Sequence, residues 1–153
     1  MAARGSRPVI LVVDASVAVK WLVAEPGHEH ATSLLLKAPI LFAPDLIEIE
    51  VANVLWKKNR RKEIDGSQAA QALRSLSSFF DALEPSTRFM NRALEIGLDL
   101  EHPVYDCVYL AAAEQRGVRL ATADARLARK CAGTAYAERV VSIDRVLDSH
   151  EPM

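Results

Sequence analysis

Acidic residues in settings that disfavour acids are the chemically informative feature of this sequence. Asp14 directly follows Val9–Val13, a continuous apolar run that reads as a buried strand. Its carboxylate therefore belongs at the strand's carboxyl end, the edge where open α/β sheets bind ligands. Asp124 repeats the arrangement after a second strand-like run, Arg119–Thr122, in Thr122-Ala123-Asp124. Capping the next helix is the structural role open to both. Asp106 is the only charged residue from Val104 to Ala113, in a helix apolar on nearly every side and so expected to be mostly buried. An unpaired ionised carboxylate there costs on the order of several kcal/mol. That cost favours a site over a simple first-turn dipole effect.

A fourth acid must come from the helical pattern after Pro44, where Glu48 and Glu50 compete. Ile47, Val51, Val54 and Leu55 set the apolar centre of that helix, and the two glutamates fall on opposite margins of it. Amphipathicity leaves both open. Lys57 and Arg61 follow on the Glu50 side, as a phosphate-handling face would require, although a solvated charge row would look the same.

Several carboxylates gathered at one sheet edge cannot all stay charged without a counter-charge. An all-oxygen donor set selects Mg²⁺, with Mn²⁺ as a substitute, and such ions accompany phosphate substrates. The residues thus point to magnesium-dependent chemistry on phosphoryl groups. Other chemistries lack their marks. All six glycines are isolated, so no glycine-rich loop cradles a phosphate. No HExxH or GxSxG motif occurs, and Cys107 and Cys131 form no CxxC. A phosphatase of the haloacid-dehalogenase type needs a second Asp two residues after the first, where Ser16 stands; a phosphoreceiver domain needs an acidic pair that is absent.

The elements that must position these acids alternate between strand and helix. Strands are predicted at Val9–Val13, Ile40–Ala43, Ala82–Leu83, Arg119–Thr122 and Arg139–Ser142. Helices are predicted at Ser16–Val23, His28–Lys37, from Pro44 to about Lys62, after the Asp65 cap through Phe80, at Thr87–Leu98, from Pro103 to near Gly117, at Ala125–Ala132 and, closing the chain, at Ile143–Ser149. Alternation of this kind implies parallel strands with crossover helices, an α/β sandwich. With 153 residues, half of them hydrophobic, one domain spanning 1–153 is expected, with 1–8 as a flexible N-terminal extension. The formal net charge of −1 excludes a surface that grips nucleic acid all over and leaves only local patches, of which Lys57, Lys58, Arg60, Arg61 and Lys62 form the most basic. No run is apolar for long enough to be a signal peptide or membrane span, and two separated cysteines suit a reducing compartment, so a cytoplasmic location is expected.

Four segments occur in one order: Val12-Val13-Asp14-Ala15-Ser16; Ala43-Pro44-Asp45-Leu46 through Glu50-Val51-Ala52-Asn53-Val54-Leu55; Val104-Tyr105-Asp106-Cys107-Val108-Tyr109-Leu110-Ala111; and Ala121-Thr122-Ala123-Asp124-Ala125-Arg126-Leu127. In series they closely resemble the PIN-domain ribonucleases, particularly the VapC-type toxins of bacterial toxin–antitoxin modules, over nearly the whole chain. The resemblance implies a three-layer α/β/α sandwich around a mostly parallel sheet, whose acids hold a divalent metal and hydrolyse RNA phosphodiesters. It places the family's acids on Asp14, Glu50, Asp106 and Asp124, choosing Glu50 because it stands directly before the Val-Ala-Asn-Val-Leu run. Ser16 and Thr122 take supporting hydroxyl positions, and Lys57 and Arg61 become candidate RNA contacts. It further implies a homodimer, a cognate antitoxin that covers the acids, and DNA association only through that antitoxin. Because no histidine pair suggests 2′-hydroxyl attack, 5′-phosphate and 3′-hydroxyl products are expected. His102-Pro103, just ahead of the third motif, departs from the pattern. A binding module acting mainly through antitoxin and DNA, with marginal catalysis, is the alternative.

Overall fold

The computed structural model describes residues 7–146. Of the expected N-terminal extension only Arg7 and Pro8 fall among them, both exposed and without regular structure; residues 1–6 lie outside. The elements run β1 (Ile10–Val13), α1 (Ala15–Leu22), α2 (His28–Leu35), β2 (Ile40–Pro44), α3 (Leu46–Arg60), α4 (Gly66–Ser75), β3 (Ala82–Glu84), α5 (Met90–Leu100), α6 (Val104–Arg116), β4 (Arg119–Thr122), α7 (Ala125–Cys131) and β5 (Val140–Ser142).

The strands make one sheet in the order β3-β2-β1-β4-β5, and every pair is parallel. A central parallel strand is covered on both faces, which is why β1 is continuously apolar. Alternate residues of β1 enter different cores. Val12 joins Ala43, Leu120, the Ile47–Val51–Leu55 stripe of α3 and Cys107–Ala113 of α6. Leu11 and Val13 join Leu41 and Ala121 with Val17 of α1 and Leu34 of α2. Two cores divided by one sheet give the three-layer α/β/α architecture.

The strand order carries the functional consequence. The chain steps from β1 through β2 to β3 in one direction, then returns through α5 and α6 to place β4 on the other side of β1. The carboxyl ends of β1 and β4 therefore flank the point where the winding reverses, where such sheets open a crevice. Asp14 and Asp124 follow those two ends.

Several element boundaries differ from the periodicity-based expectation. Pro44 does not open α3; it ends β2 opposite Glu84, and the Asp45 N–H takes the next ladder bond to the Glu84 carbonyl at 2.7 Å. The α3 N-terminus is capped from a distance instead, the Leu46 N–H donating to Ser86 Oγ at 2.9 Å. α4 stops at Ser75 and tightens into a 3₁₀ turn over Leu76–Phe79, because Ser75 and Ser78 hydroxyls donate to the Gln71 and Ser75 carbonyls and compete with the helix ladder. The helix expected from Thr87 begins as a 3₁₀ turn over Ser86–Phe89 and becomes α-helical at Met90. The closing helix is not formed over 143–146, which is a turn whose Ile143 N–H extends the sheet to the Thr122 carbonyl; the rest of that predicted helix lies outside the described residues. Among the described residues no helix is long and apolar enough to cross a membrane.

Candidate active site

Asp14 leaves β1 in extended conformation and caps α1, accepting from the Val17 N–H at 3.3 Å. It is 4% exposed, so its carboxylate needs donors. Ser16 Oγ donates to Oδ1 and Thr122 Oγ1 donates to Oδ2. Both hydroxyls also accept, Ser16 Oγ from the Ala123 N–H at 2.9 Å and Thr122 Oγ1 from the Asp124 N–H at 3.0 Å. The pair thus stitches the end of β1 to the end of β4 and holds Asp14 in one orientation. Burial pushes the Asp14 carboxyl up to about 6, the two hydroxyl bonds opposing and the Asp106 charge adding to the rise.

Asp124 caps α7, accepting from the Arg126 N–H at 2.9 Å. The capping role and the site position coincide here, as they do at Asp14. Asp106 departs from the expectation of a buried helix: α6 is buried only from Cys107 to Ala113, Tyr105 is 66% exposed, and Asp106 sits half-buried in the first turn. Its charge is not left alone either, since His102 Nε2 donates to Oδ2 at 2.6 Å.

Glu50 lies half-buried on α3, and Tyr109 of α6 donates its hydroxyl to Oε1 at 2.6 Å. Burial raises the Glu50 carboxyl, the tyrosine bond opposes this, and the Asp106 charge adds to it. Tyr109 is driven far up by its own burial and by the charges of Glu50, Asp14 and Asp106, and stays a neutral donor. Glu48 is exposed and does not line the cleft.

Asp14, Glu50, Asp106 and Asp124 line one cleft of about 470 Å³, with Ser16, Asn53, Tyr109 and Lys57. Two grooves are larger, about 750 Å³ between α1 and α4 and about 880 Å³ beside β5, but they hold two and one carboxylates. Chemistry, not volume, singles out the smaller cleft. Of the basic run, Lys57 reaches it; Arg61 does not line it. Lys58 is engaged elsewhere, paired with Glu25 at 2.7 Å, and Arg60 lies over the Trp56 ring.

Two residues that bond to the acids were not site candidates from the sequence. Tyr109 counts as apolar in a helical pattern, although it stands one turn after Asp106 on the same face. His102 lies outside α6, where helical spacing gives no warning of its bond to Asp106.

The PIN domain family model matches residues 11–133, which include all four acids. The chain belongs to the PIN domain family. Among PIN domain relatives, Ribonuclease VapC3 of Pyrobaculum aerophilum is 38% identical over 122 residues, spanning 78% of this chain and 93% of its own length. Ribonuclease VapC1 of Mycobacterium tuberculosis is 35% identical over 119 residues, spanning 76% and 87%. The crystal structure of PAE2754 from Pyrobaculum aerophilum superposes with a TM-score of 0.66 at 25% identity, covering 94% of this chain and 97% of that one.

Proposed function

We propose that this PIN domain protein is a Mg²⁺-dependent endoribonuclease and the toxin of a toxin–antitoxin pair. The observation that carries the reading is the convergence of four carboxylates and one lysine in a single cleft at the sheet's switch point. The names of the VapC relatives support RNA as substrate.

The residues fit a hard divalent cation. The donors are all oxygens, and Asp14 and Glu50, raised first by burial, are raised further by the charge of Asp106, a repulsion that a cation would relieve. Among the described residues no three His, Cys, Asp or Glu side chains close on one point as a complete cage. Mg²⁺ does not require one: it keeps several waters and takes one or two carboxylates directly. Asp14, Glu50, Asp106 and Asp124 would hold it, with Mn²⁺ as a substitute. When bound, such an ion neutralises charge on the scissile phosphate and acidifies a coordinated water.

The chain's own groups do the positioning. Ser16 and Thr122 lock Asp14, and Tyr109 locks Glu50, so little reorganisation is needed when substrate arrives. Lys57, two helical turns along α3 from Glu50, receives a neighbouring phosphate of the RNA backbone. The assignment as a toxin adds a homodimer, an antitoxin that covers the acidic cleft with a cationic group, and DNA association only through that antitoxin.

The test is cleavage of RNA by antitoxin-free protein. Activity is expected with Mg²⁺ or Mn²⁺, lost in EDTA and restored by added metal, with 5′-phosphate products. Cleavage undiminished by excess EDTA would overturn the mechanism. Metal-dependent cleavage by a protein that arrests no cells on expression would remove the toxin role and keep the nuclease.

A further inference from the structure

We infer that His102 is a positioning residue for Asp106, setting which carboxylate oxygen the third acid presents to the cleft. The inference rests on the reading of Asp106 as part of a cation-binding site.

The imidazole is held from behind. Glu101 ends α5 in the left-handed region at φ 51°, turning the chain so that the His102 N–H bonds to the Gly97 carbonyl at 3.1 Å. The His102 carbonyl packs so closely on α5 that a Cβ at Gly97 would lie 3.0 Å from it. Only glycine leaves this space open. The next residue, Pro103, restricts His102 to extended conformations and stands at the N-cap of α6. The side chain is 12% exposed, and its Nε2 meets Asp106 Oδ2 at 2.6 Å. A carboxylate accepts only, so Nε2 carries the proton and the bond has one polarity.

This arrangement does two things to Asp106. It occupies Oδ2 and leaves Oδ1 as the oxygen free of the imidazole. It also removes the rotational freedom that an otherwise unsupported first-turn aspartate would lose on gripping a cation. Partners that orient a ligating carboxylate are worth roughly 10–100-fold in metal affinity. Three of the four acids then share a plan, each with a side-chain donor from another residue: hydroxyls on Asp14, a phenol on Glu50 and an imidazole on Asp106.

The experiment is Mn²⁺ titration of metal-free, full-length protein followed by electron paramagnetic resonance, on wild type, Asp106→Asn, His102→Ala and His102→Gln. The Gln amide nitrogen reaches about as far as imidazole Nε2 and can donate to Oδ2; Ala cannot. His102→Ala should weaken Mn²⁺ binding by about 10-fold or more, and RNA cleavage should fall in kcat with KM little changed. His102→Gln should stay within about three-fold of wild type, since it keeps the donor. Circular dichroism verifies folding; should the Ala variant unfold, His102→Asn, whose amide falls short of Asp106, replaces it with the same expectation. Wild-type affinity in His102→Ala while Asp106→Asn loses binding would overturn the role of His102 and spare the site. Equal losses in the Ala and Gln variants would also overturn it, since a merely structural histidine behaves that way. Failure of wild type to bind Mn²⁺ would overturn the site itself and this inference with it.

Discussion

Replacing Asp14 by Asn removes the most deeply buried charge of the site while keeping its shape. Folding raises this carboxyl from 3.8 to about 6, chiefly through burial. The folded state therefore binds the proton more tightly than the unfolded chain, and stability is lost as pH rises between those two values. Above the folded value the full penalty applies, about 3 kcal/mol near pH 7.5, and near pH 5 it is about half of that. Asn carries no such penalty. Its Oδ1 can accept from Ser16 and the Val17 N–H, but its amide must donate to Thr122 Oγ1, which donates in the wild type. That exchange adds an offset independent of pH. The pH dependence of the difference is thus the clean signal. In EDTA, chemical denaturation should show the variant gaining on wild type by about 1.5 kcal/mol between pH 5 and 7.5. In melting temperature this is about 3–6 °C for a chain of this size. Mg²⁺ should then narrow the gap by stabilising wild type alone, by about 2.7 kcal/mol at a hundred times its Kd. A stability difference that is the same at both pH values would refute the burial argument. Equal stabilisation of both proteins by Mg²⁺ would refute Asp14 as part of the cation site.

Glu50→Gln should cut RNA cleavage severely at saturating Mg²⁺ while Glu48→Gln stays within about three-fold, because helix residues two positions apart point about 200° apart and, of the two, only Glu50 lines the cleft. Loss in the Glu48 variant alone would reverse the assignment. Glu50→Gln should also melt higher than wild type at neutral pH without metal, since the raised Glu50 carboxyl is a charged group the fold disfavours. Tyr109→Phe leaves Glu50 without its hydroxyl donor and should cost about 1–2 kcal/mol of stability by urea denaturation, together with a fall in kcat. Lys57→Ala should raise KM for RNA several-fold, about three-fold or more, and flatten the salt dependence of binding, whereas Arg61→Ala should change neither by as much.

Some of this chain was decided within short stretches of sequence. The apolar run before Asp14 reads as a buried strand and forms one over Ile10–Val13, Val13 leads straight into the Asp14 cap, and Thr122, which ends β4, bears a hydroxyl. The Asp65 cap of α4 and the C-terminal Gly117 of α6 were equally legible, because caps and turns act over three or four residues. The oxygen-only character of the site follows from residue types alone.

Other features belong to the tertiary structure. Placing β4 beside β1 depends on the return of the chain through α5 and α6, and nothing in either strand's pattern specifies it. Amphipathicity left Glu48 and Glu50 equal and the family resemblance chose Glu50; that Glu50 meets Tyr109 and lines the cleft depends on how α3 and α6 pack. His102 is aimed at Asp106 by a left-handed turn at Glu101 and a close approach to Gly97, neither of which periodicity encodes. Local rules govern hydrogen bonds made within one turn of helix or one strand register. A site assembled from four elements depends on how those elements cross, and that is settled by packing across the sheet.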